Sequence, residues 1–266
     1  MSDGAVYAGI DVGSATAKAV LLDAAGVVRG TSVIASGGNL SDSAQRCLAL
    51  AANEAGVAPD ACNAVVATGY GRERVSARSS AVTEITCHAR GALALFPEAR
   101  SVVDIGGQDS KAIALDERGR VLRFEMNDKC AAGTGRFLEV MARLLEIELD
   151  AFGGRALQAA APVKISSTCT VFAESEVISH LARNENVDDI IGGLCNAIAS
   201  RVYGLASRAR LTAPTIMTGG VARNQGVVKA MEVLLGAPIH TPDTPQIVGA
   251  YGAALIARER AGAEAS

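Results

Sequence analysis

The chain has 266 residues, a formal net charge of −3, 49% hydrophobic residues and only 3% aromatic residues. It contains no apolar run near the roughly 20 residues that a membrane-spanning helix needs, and its first residues lack the basic and apolar stretches of a secretory signal. Mixed charges and few aromatic side chains provide neither a basic stripe nor stacking platforms for nucleic acid. We therefore expect a cytoplasmic protein that binds neither membranes nor nucleic acid.

Two segments of the chain, one near its start and one near its middle, resemble each other without a gap. Each copy predicts a strand, a tight Asp-x-Gly turn, a second strand, a glycine turn and a third strand. The residues after each Asp-x-Gly alternate instead of opening a helix, which favours a β-meander over a βαβ unit. We interpret the pair as a duplicated supersecondary unit. The aligned positions are Asp11 with Asp104, Gly13 with Gly106, Lys18 with Lys111, Asp23 with Asp116, and Gly26 with Gly119.

Helix and strand patterns after each meander complete two α/β lobes. We expect each lobe to hold a mixed sheet with flanking helices, and a cleft to separate the lobes. The boundary is placed near residues 96–101, which divides the chain into residues 1–98 and 99–266. Predicted helices cover residues 42–55, 83–95, 136–145, 173–183, 190–209 and 225–235, and predicted short strands cover residues 64–68, 215–218 and 238–240.

The two Asp-x-Gly turns are suited to holding phosphate groups. Small residues follow each aspartate, so backbone N–H groups and hydroxyls can approach phosphate oxygens closely. Asp11 and Asp104 would hold Mg²⁺ through water, because magnesium keeps most of its waters in proteins, and Lys18 would add positive charge. A third turn at Gly219-Gly220 lies between an apolar strand and a helix. A single Asp-Gly turn is more often a plain hairpin, but the duplicated pair favours a nucleotide site.

Two of the six cysteines, Cys130 and Cys169, lie just before predicted helices. Cys130 lies in a glycine-rich turn, and Cys169 follows a hydroxyl-rich run. The start of a helix offers unpaired backbone N–H groups and the positive end of the helix dipole, both of which stabilise a thiolate. No C-x-x-C spacing is present, so we expect a metal or redox centre rather than a zinc ribbon or disulfides. Small apolar packing roles are expected for Cys47, Cys62, Cys87 and Cys195.

Three short motifs resemble the phosphate and adenosine motifs of the actin, sugar kinase and chaperone ATPase superfamily: Asp11-Val12-Gly13-Ser14, Asp104-Ile105-Gly106-Gly107 and Thr218-Gly219-Gly220. Four longer motifs resemble the ATPase activators of 2-hydroxyacyl-CoA dehydratases and the related ATPase subunits of benzoyl-CoA reductases. This resemblance extends from Tyr7 to about Arg258. The longer motifs are Ala67-Thr68-Gly69-Tyr70-Gly71-Arg72, Asp104-Ile105-Gly106-Gly107-Gln108-Asp109, Asn127-Asp128-Lys129-Cys130-Ala131-Ala132-Gly133-Thr134-Gly135 and Ser166-Ser167-Thr168-Cys169-Thr170-Val171-Phe172-Ala173-Glu174-Ser175.

The resemblance implies a two-lobe ATPase that binds ATP with Mg²⁺ and works as an oxygen-sensitive homodimer with one shared [4Fe-4S] cluster. Cys130 and Cys169 of each chain would ligate the cluster, since four thiolates require two from each copy. ATP hydrolysis would drive an electron from a ferredoxin or flavodoxin into a CoA-ester dehydratase or reductase component. The implied catalytic residues are Asp11, Asp104 and Gln108, and the implied nucleotide-binding residues are Gly13, Ser14, Ala15, Thr16, Ala17, Lys18, Gly106, Gly107, Gly219, Gly220 and Gln246.

Three other functions stay open on the sequence alone. The first is the ATPase subunit of an ATP-dependent aryl-CoA reductase, which shares these motifs. The second is a metabolite kinase of the same superfamily, which would need a catalytic base and a substrate pocket and would leave Cys130 and Cys169 without a role. The third is a non-catalytic iron-sulfur or nucleotide sensor.

Overall fold

A computed structural model describes residues 4–166 and 169–264. These residues belong to two compact units. Unit 1 consists of Met1–Ala99, Glu117–Val121 and Gln246–Ser266, and unit 2 consists of Arg100–Asp116 and Leu122–Pro245. The chain therefore returns to unit 1 after residue 245, whereas the sequence assigned all of residues 99–266 to one lobe.

Strands and helices follow one another along the chain as a duplicated α/β fold requires. The strands are β1 (Val6–Val12), β2 (Thr16–Asp23), β3 (Val28–Ala35), β4 (Ala64–Thr68), β5 (Ser80–Ala81), β6 (Ser101–Ile105), β7 (Ser110–Leu115), β8 (Val121–Asn127), β9 (Thr215–Thr218) and β10 (Ile239–His240). The helices are α1 (Leu40–Ala55), α2 (Glu84–Leu95), α3 (Gly135–Leu144), α4 (Leu149–Ala156), α5 (Thr170–Ala182), α6 (Val187–Ala209), α7 (Gln225–Leu235) and α8 (Val248–Glu264).

The sheet of unit 1 has the strand order β3-β2-β1-β4-β5. Strands β1, β2 and β3 are antiparallel neighbours, and β4 runs parallel to β1 after the chain has returned through α1. Alternate residues of β1 face opposite sides of the sheet. Ala8 and Ile10 pack with Leu48 of α1, while a Cβ at Gly9 would lie 2.0 Å from the carbonyl oxygen of Ala250. Glycine at position 9 therefore lets α8 pack directly on the sheet.

The sheet of unit 2 has the strand order β10-β9-β6-β7-β8. Strand β6 is antiparallel to β7 and parallel to β9, which repeats the pairing of β1 with β2 and β4. One large apolar core joins this sheet to its helices. Phe137 of α3, Val177 of α5 and Ile198 of α6 are buried in it. The helices that follow both cysteine segments are therefore anchored in the core of unit 2.

The structure confirms the duplicated meander and the predicted two-lobe α/β fold class. The sequence missed α4, α8 and the short strand β5. Helices α4 and α8 contain glycines at positions 153, 154, 249 and 252, which lower intrinsic helix propensity. Tertiary packing stabilises them instead, since Phe152 of α4 is fully buried and a Cβ at Gly252 of α8 would meet the carbonyl oxygen of Cys87. None of the helices in the described chain is long and apolar enough to cross a membrane.

Candidate functional site

Unit 1 aligns three polar side chains across neighbouring strands at the start of turn 1 (residues 11–16). Asp11 of β1 is paired in register with Lys18 of β2 and with Thr68 of β4, and these three residues are called the first row. Lys18 Nζ lies 3.1 Å from Asp11 Oδ2, with the two side chains 15% and 8% exposed. The backbone N–H of Gly13 donates to the Thr16 carbonyl at 3.0 Å and closes the turn. The first row thus contains one partly accessible ion pair.

Gly69 follows the first row and brings backbone directly onto the Asp11 carboxylate. It has a φ of +83°, and a Cβ there would lie 2.3 Å from Asp11 Oδ1. Only glycine combines this left-handed conformation with this close approach. Any side chain at position 69 would therefore clash with the carboxylate of Asp11.

Unit 2 repeats the row at the start of turn 2 (residues 104–109). Asp104 of β6 pairs in register with Lys111 of β7 and with Thr218 of β9, and these three residues are called the second row. Lys111 Nζ lies 3.1 Å from Asp104 Oδ2 and 2.8 Å from Asp109 Oδ1, and Thr218 Oγ1 donates to Asp104 Oδ1 at 2.9 Å. Lys111 is only 2% exposed. The second row is therefore more deeply buried and more extensively bonded than the first.

Gly219 takes the place in unit 2 that Gly69 takes in unit 1. Its φ is +85°, and a Cβ would lie 2.3 Å from the Ile105 carbonyl oxygen and 2.8 Å from Asp104 Oδ1. Its backbone N–H donates to the Pro245 carbonyl at 3.0 Å. The structural duplication therefore extends beyond the predicted repeat to a Thr-Gly step in each unit, at Thr68-Gly69 and at Thr218-Gly219.

Turn 2 is bonded directly to the start of α3. The backbone N–H groups of Gly135 and Arg136 donate to the carbonyl oxygens of Gly106 and Gly107, both at 2.8 Å. These N–H groups at the start of α3 are therefore occupied by turn 2. We expected free N–H groups at this helix start to stabilise a Cys130 thiolate. These two groups are not free, because both donate to turn 2, and Cys130 lies five residues before Gly135.

Cys130 lies in the loop between β8 and α3 and is half-buried. The side-chain amide of Asn127 donates to the Cys130 carbonyl at 2.8 Å and to the Ala132 carbonyl at 3.2 Å. Thr134 Oγ1 donates to the Ala131 carbonyl at 2.7 Å. These three hydrogen bonds are accepted by backbone carbonyls of the loop, and the Cys130 thiol takes no part in them.

Cys169 is exposed and is the N-cap residue of α5, with φ −98° and ψ 132°. The Cys169 side chain makes no capping hydrogen bond to the helix, and the predicted thiol at a helix start is confirmed here. Val171 and Phe172, at the start of the same helix, are 64% and 66% exposed. Residues 167 and 168 of the predicted cysteine motif lie outside the described residues.

Burial affects the thiols of the other four cysteines, of which Cys62 is half-buried and the rest are buried. Burial raises the pKa of the Cys87 and Cys195 thiols to about 12, and it also raises the pKa of the Cys47 and Cys62 thiols. Burial therefore disfavours the ionised form of these four thiols. Within residues 4–166 and 169–264 the chain has no group of three or more His, Cys, Asp or Glu side chains that could hold a metal ion.

The remaining predicted nucleotide-site residues are distributed over both units. Ser14 is exposed in turn 1, Gln108 is exposed in turn 2, and Gln246 lies in the short 3-10 segment before α8. Ala17 is fully buried in the core under β2, so only its backbone is available to a ligand. Ala15 and Thr16 are half-buried in turn 1, and Gly220 begins a 3-10 segment after Gly219.

Sequence reasoning gave no role to Thr68, Asp109 or Thr218. Thr68 lies in register with Asp11, and Thr218 donates to Asp104. Asp109 shares the Lys111 ammonium group with Asp104. The repeated Thr-Gly step could have identified the threonines, since it follows an apolar strand in both halves. No comparable signal marks Asp109, because the position aligned with it is Thr16.

Both units thus carry an Asp-Lys row followed by a glycine against the carboxylate, within a duplicated α/β fold. The BadF/BadG/BcrA/BcrD ATPase family model matches residues 8–257, and the chain belongs to this family. It is 49% identical over 253 residues to the activator of lactoyl-CoA dehydratase from Anaerotignum propionicum, covering 95% of this chain and 97% of that protein.

Solved structures agree with this assignment. The activator of the 2-hydroxyisocaproyl-CoA dehydratase from Clostridium difficile, solved with bound ADPNP, is similar with a TM-score of 0.93 and 43% identity, covering 98% of this chain and 97% of that chain. A ROK family glucokinase from Streptomyces griseus shares the fold at 16% identity, with a TM-score of 0.58 and coverage of 96% and 99%. One of the benzoyl-CoA reductase subunits from Thauera aromatica is a more distant relative, 36% identical over 76% of this chain and 73% of that protein.

Proposed function

We propose that this chain hydrolyses ATP in order to drive one low-potential electron into a 2-hydroxyacyl-CoA dehydratase, and so activates that enzyme. The observation that carries the proposal is the 49% identity to a dehydratase activator over 95% of the chain. The proposal adds that the protein is an oxygen-sensitive homodimer, receives its electron from a ferredoxin or flavodoxin, and works in the cytoplasm.

For ATP we propose the two turns and their rows as the binding and catalytic groups. Asp11 and Asp104 would hold hydrated Mg²⁺, Lys18 would contact phosphate oxygens, and Gln108 would orient the attacking water. Lys18 is suited to this role because its side chain is 15% exposed beside turn 1. The backbone of turn 2 and of Gly219 would approach the nucleotide closely. The remaining proposed contacts are Gly13, Ser14, Ala15, Thr16, Ala17, Gly106, Gly107, Gly220 and Gln246.

For the electron we propose a [4Fe-4S] cluster shared by two chains and ligated by Cys130 and Cys169 of each. The thiol chemistry fits this assignment, because Cys169 is exposed, Cys130 is half-buried, and the other four thiols have pKa values raised by burial. When bound, the cluster would accept and release one electron. The start of α5, where Cys169 makes no capping bond, would place backbone N–H groups and a positive dipole end beside that added charge.

Coupling between nucleotide and cysteine would run through turn 2. Gly106 and Gly107, proposed to contact phosphate, accept hydrogen bonds from the first residues of α3. A change in turn 2 on ATP hydrolysis would therefore move the start of α3, and with it the loop that carries Cys130. The proposed coupling path therefore consists of two backbone hydrogen bonds and the backbone between Cys130 and α3, all within unit 2.

The experiment is anaerobic reconstitution followed by iron, sulfide and absorbance analysis. Cys130→Ser and Cys169→Ser should each abolish cluster assembly and leave the dissociation constant for ADP within about threefold. Cys62→Ser is the matched control, since Cys62 is half-buried in unit 1 and should leave the cluster intact. An iron-free wild-type protein that phosphorylates a small metabolite would reject the proposal in favour of a kinase.

A second measurement separates the two electron acceptors. The loaded, reduced protein should activate a 2-hydroxyacyl-CoA dehydratase in an ATP-dependent reaction. ATP-dependent reduction of benzoyl-CoA with an aryl-CoA reductase component, and no activation of any dehydratase, would support the alternative. The higher identity and coverage favour the dehydratase.

A further inference from the structure

Lys111 is a buried charge to which the proposed function assigns no role. Its side chain is 2% exposed in the middle of the second row. Removing an ammonium group from water is costly, and an apolar cluster in place of the whole buried group of charges would often be as stable or more so. A lysine at this position is therefore better explained by what its charge does to its neighbours than by stability.

Those neighbours are two carboxylates of turn 2. Lys111 Nζ lies 3.1 Å from Asp104 Oδ2 and 2.8 Å from Asp109 Oδ1. Thr218 Oγ1 donates to the second carboxylate oxygen of Asp104 at 2.9 Å. Because each oxygen of Asp104 accepts a bond from a different strand, the carboxylate cannot rotate without breaking one of them.

The charges of this group do not cancel. Two carboxylates and one ammonium group leave a net charge of −1, and the Asp109 side chain, 27% exposed, brings part of it to the surface of turn 2. A hydrated divalent cation is attracted to such a site. In the first row, Asp11 and Lys18 form a neutral pair.

We propose that Lys111 is a positioning residue for ATP hydrolysis, which locks Asp104 and Asp109 into one arrangement before the nucleotide arrives. This inference rests on the proposed role of Asp104 in hydrolysis. A carboxylate that is already oriented requires no reorganisation when charge develops in the transition state. Lys111 acts through the two carboxylates, so its loss should affect turnover more than nucleotide affinity.

The test is steady-state ATP hydrolysis by the isolated chain, without the partner enzyme. Lys111→Met, which keeps the length of the side chain and removes its charge, should lower kcat about 10- to 100-fold and change KM for MgATP less than about threefold. Thr218→Val, which removes one hydrogen bond and no charge, should lower kcat about 3- to 10-fold. It replaces Lys111→Met as the test variant if Lys111→Met folds poorly. An unchanged kcat, or a rise in KM alone, in the folded variants would overturn the proposal.

The design separates this inference from the proposed function. Failure to activate a dehydratase would reject the proposed function and leave the hydrolysis comparison intact. If the wild-type chain hydrolyses no ATP, amide hydrogen exchange at residues 106–110 decides the positioning role. Faster exchange in Lys111→Met than in the wild type would support it, and equal exchange would overturn it.

Discussion

The two rows have the same backbone register and different electrostatics. Each places an aspartate between a lysine and a threonine on three neighbouring strands, with a glycine of positive φ after the threonine. In the first row one lysine meets one carboxylate near the surface, and the buried hydroxyl of Thr68 makes no bond to Asp11. In the second row the lysine meets two carboxylates, and Thr218 bonds to Asp104.

This difference shows how one duplicated unit can serve two chemical tasks. A partly exposed ion pair can open, so Lys18 can leave Asp11 for an incoming phosphate. A buried and doubly bonded lysine cannot leave without exposing uncompensated carboxylates. Unit 1 is therefore suited to contacting the phosphates, and unit 2 to holding rigid carboxylates.

The largest expected effect is on stability, from removing each lysine in turn. Lys111→Met should lower the free energy of unfolding by about 3–5 kcal/mol, because two carboxylates lose their buried partner. Lys18→Met should cost about 1 kcal/mol, because its pair is partly solvated. Urea unfolding of both variants measures the difference. Equal losses would contradict the distinction between a locked and an open row.

The glycines after the rows should give the next largest effect. Gly69→Ala and Gly219→Ala should each cost about 1–3 kcal/mol and lower ATP hydrolysis at least about 10-fold, because both combine positive φ with a clash against the row. Gly236→Ala is the control, since Gly236 has φ +66° and open space within 4 Å of an added Cβ. It should cost about 1 kcal/mol and leave hydrolysis unchanged. A comparable loss of hydrolysis in the control would show that the effect is general strain.

The smallest single effect on stability is expected within the pair of threonines, at Thr68. Thr218→Val should cost about 1.5–3 kcal/mol, since it removes a bond to a charged carboxylate. Thr68→Val should change stability by no more than about 0.5 kcal/mol, because its hydroxyl makes no bond to Asp11 and faces only the weakly bonding thiol of Cys87. Thermal unfolding of the two variants checks this order, and a larger loss from Thr68→Val would reverse the comparison.

The gapless repeat was enough to predict both meanders, and the aligned Asp11 and Asp104 fall at equivalent places in their sheets. Local patterns could not reveal which side chains a sheet brings into register. Lys111 and Thr218 are bonded to Asp104 only because β7 and β9 flank β6. Helix α8 was missed for a related reason, since its glycines and alanines are selected by close packing on β1 rather than by an amphipathic pattern.

The return of the chain to unit 1 also determines the order in which the two units can finish folding during synthesis. Helix α8 packs on β1, β2 and β4, and its residues Ala250 and Ala254 lie in the same apolar cluster as Val20 and Leu22. Unit 1 therefore cannot complete its core until residues 248–264 have left the ribosome, although its first strand is made at the outset. Unit 2, which ends at Pro245, is complete earlier. During synthesis unit 2 can therefore finish folding before α8, the last helix of unit 1, has been made.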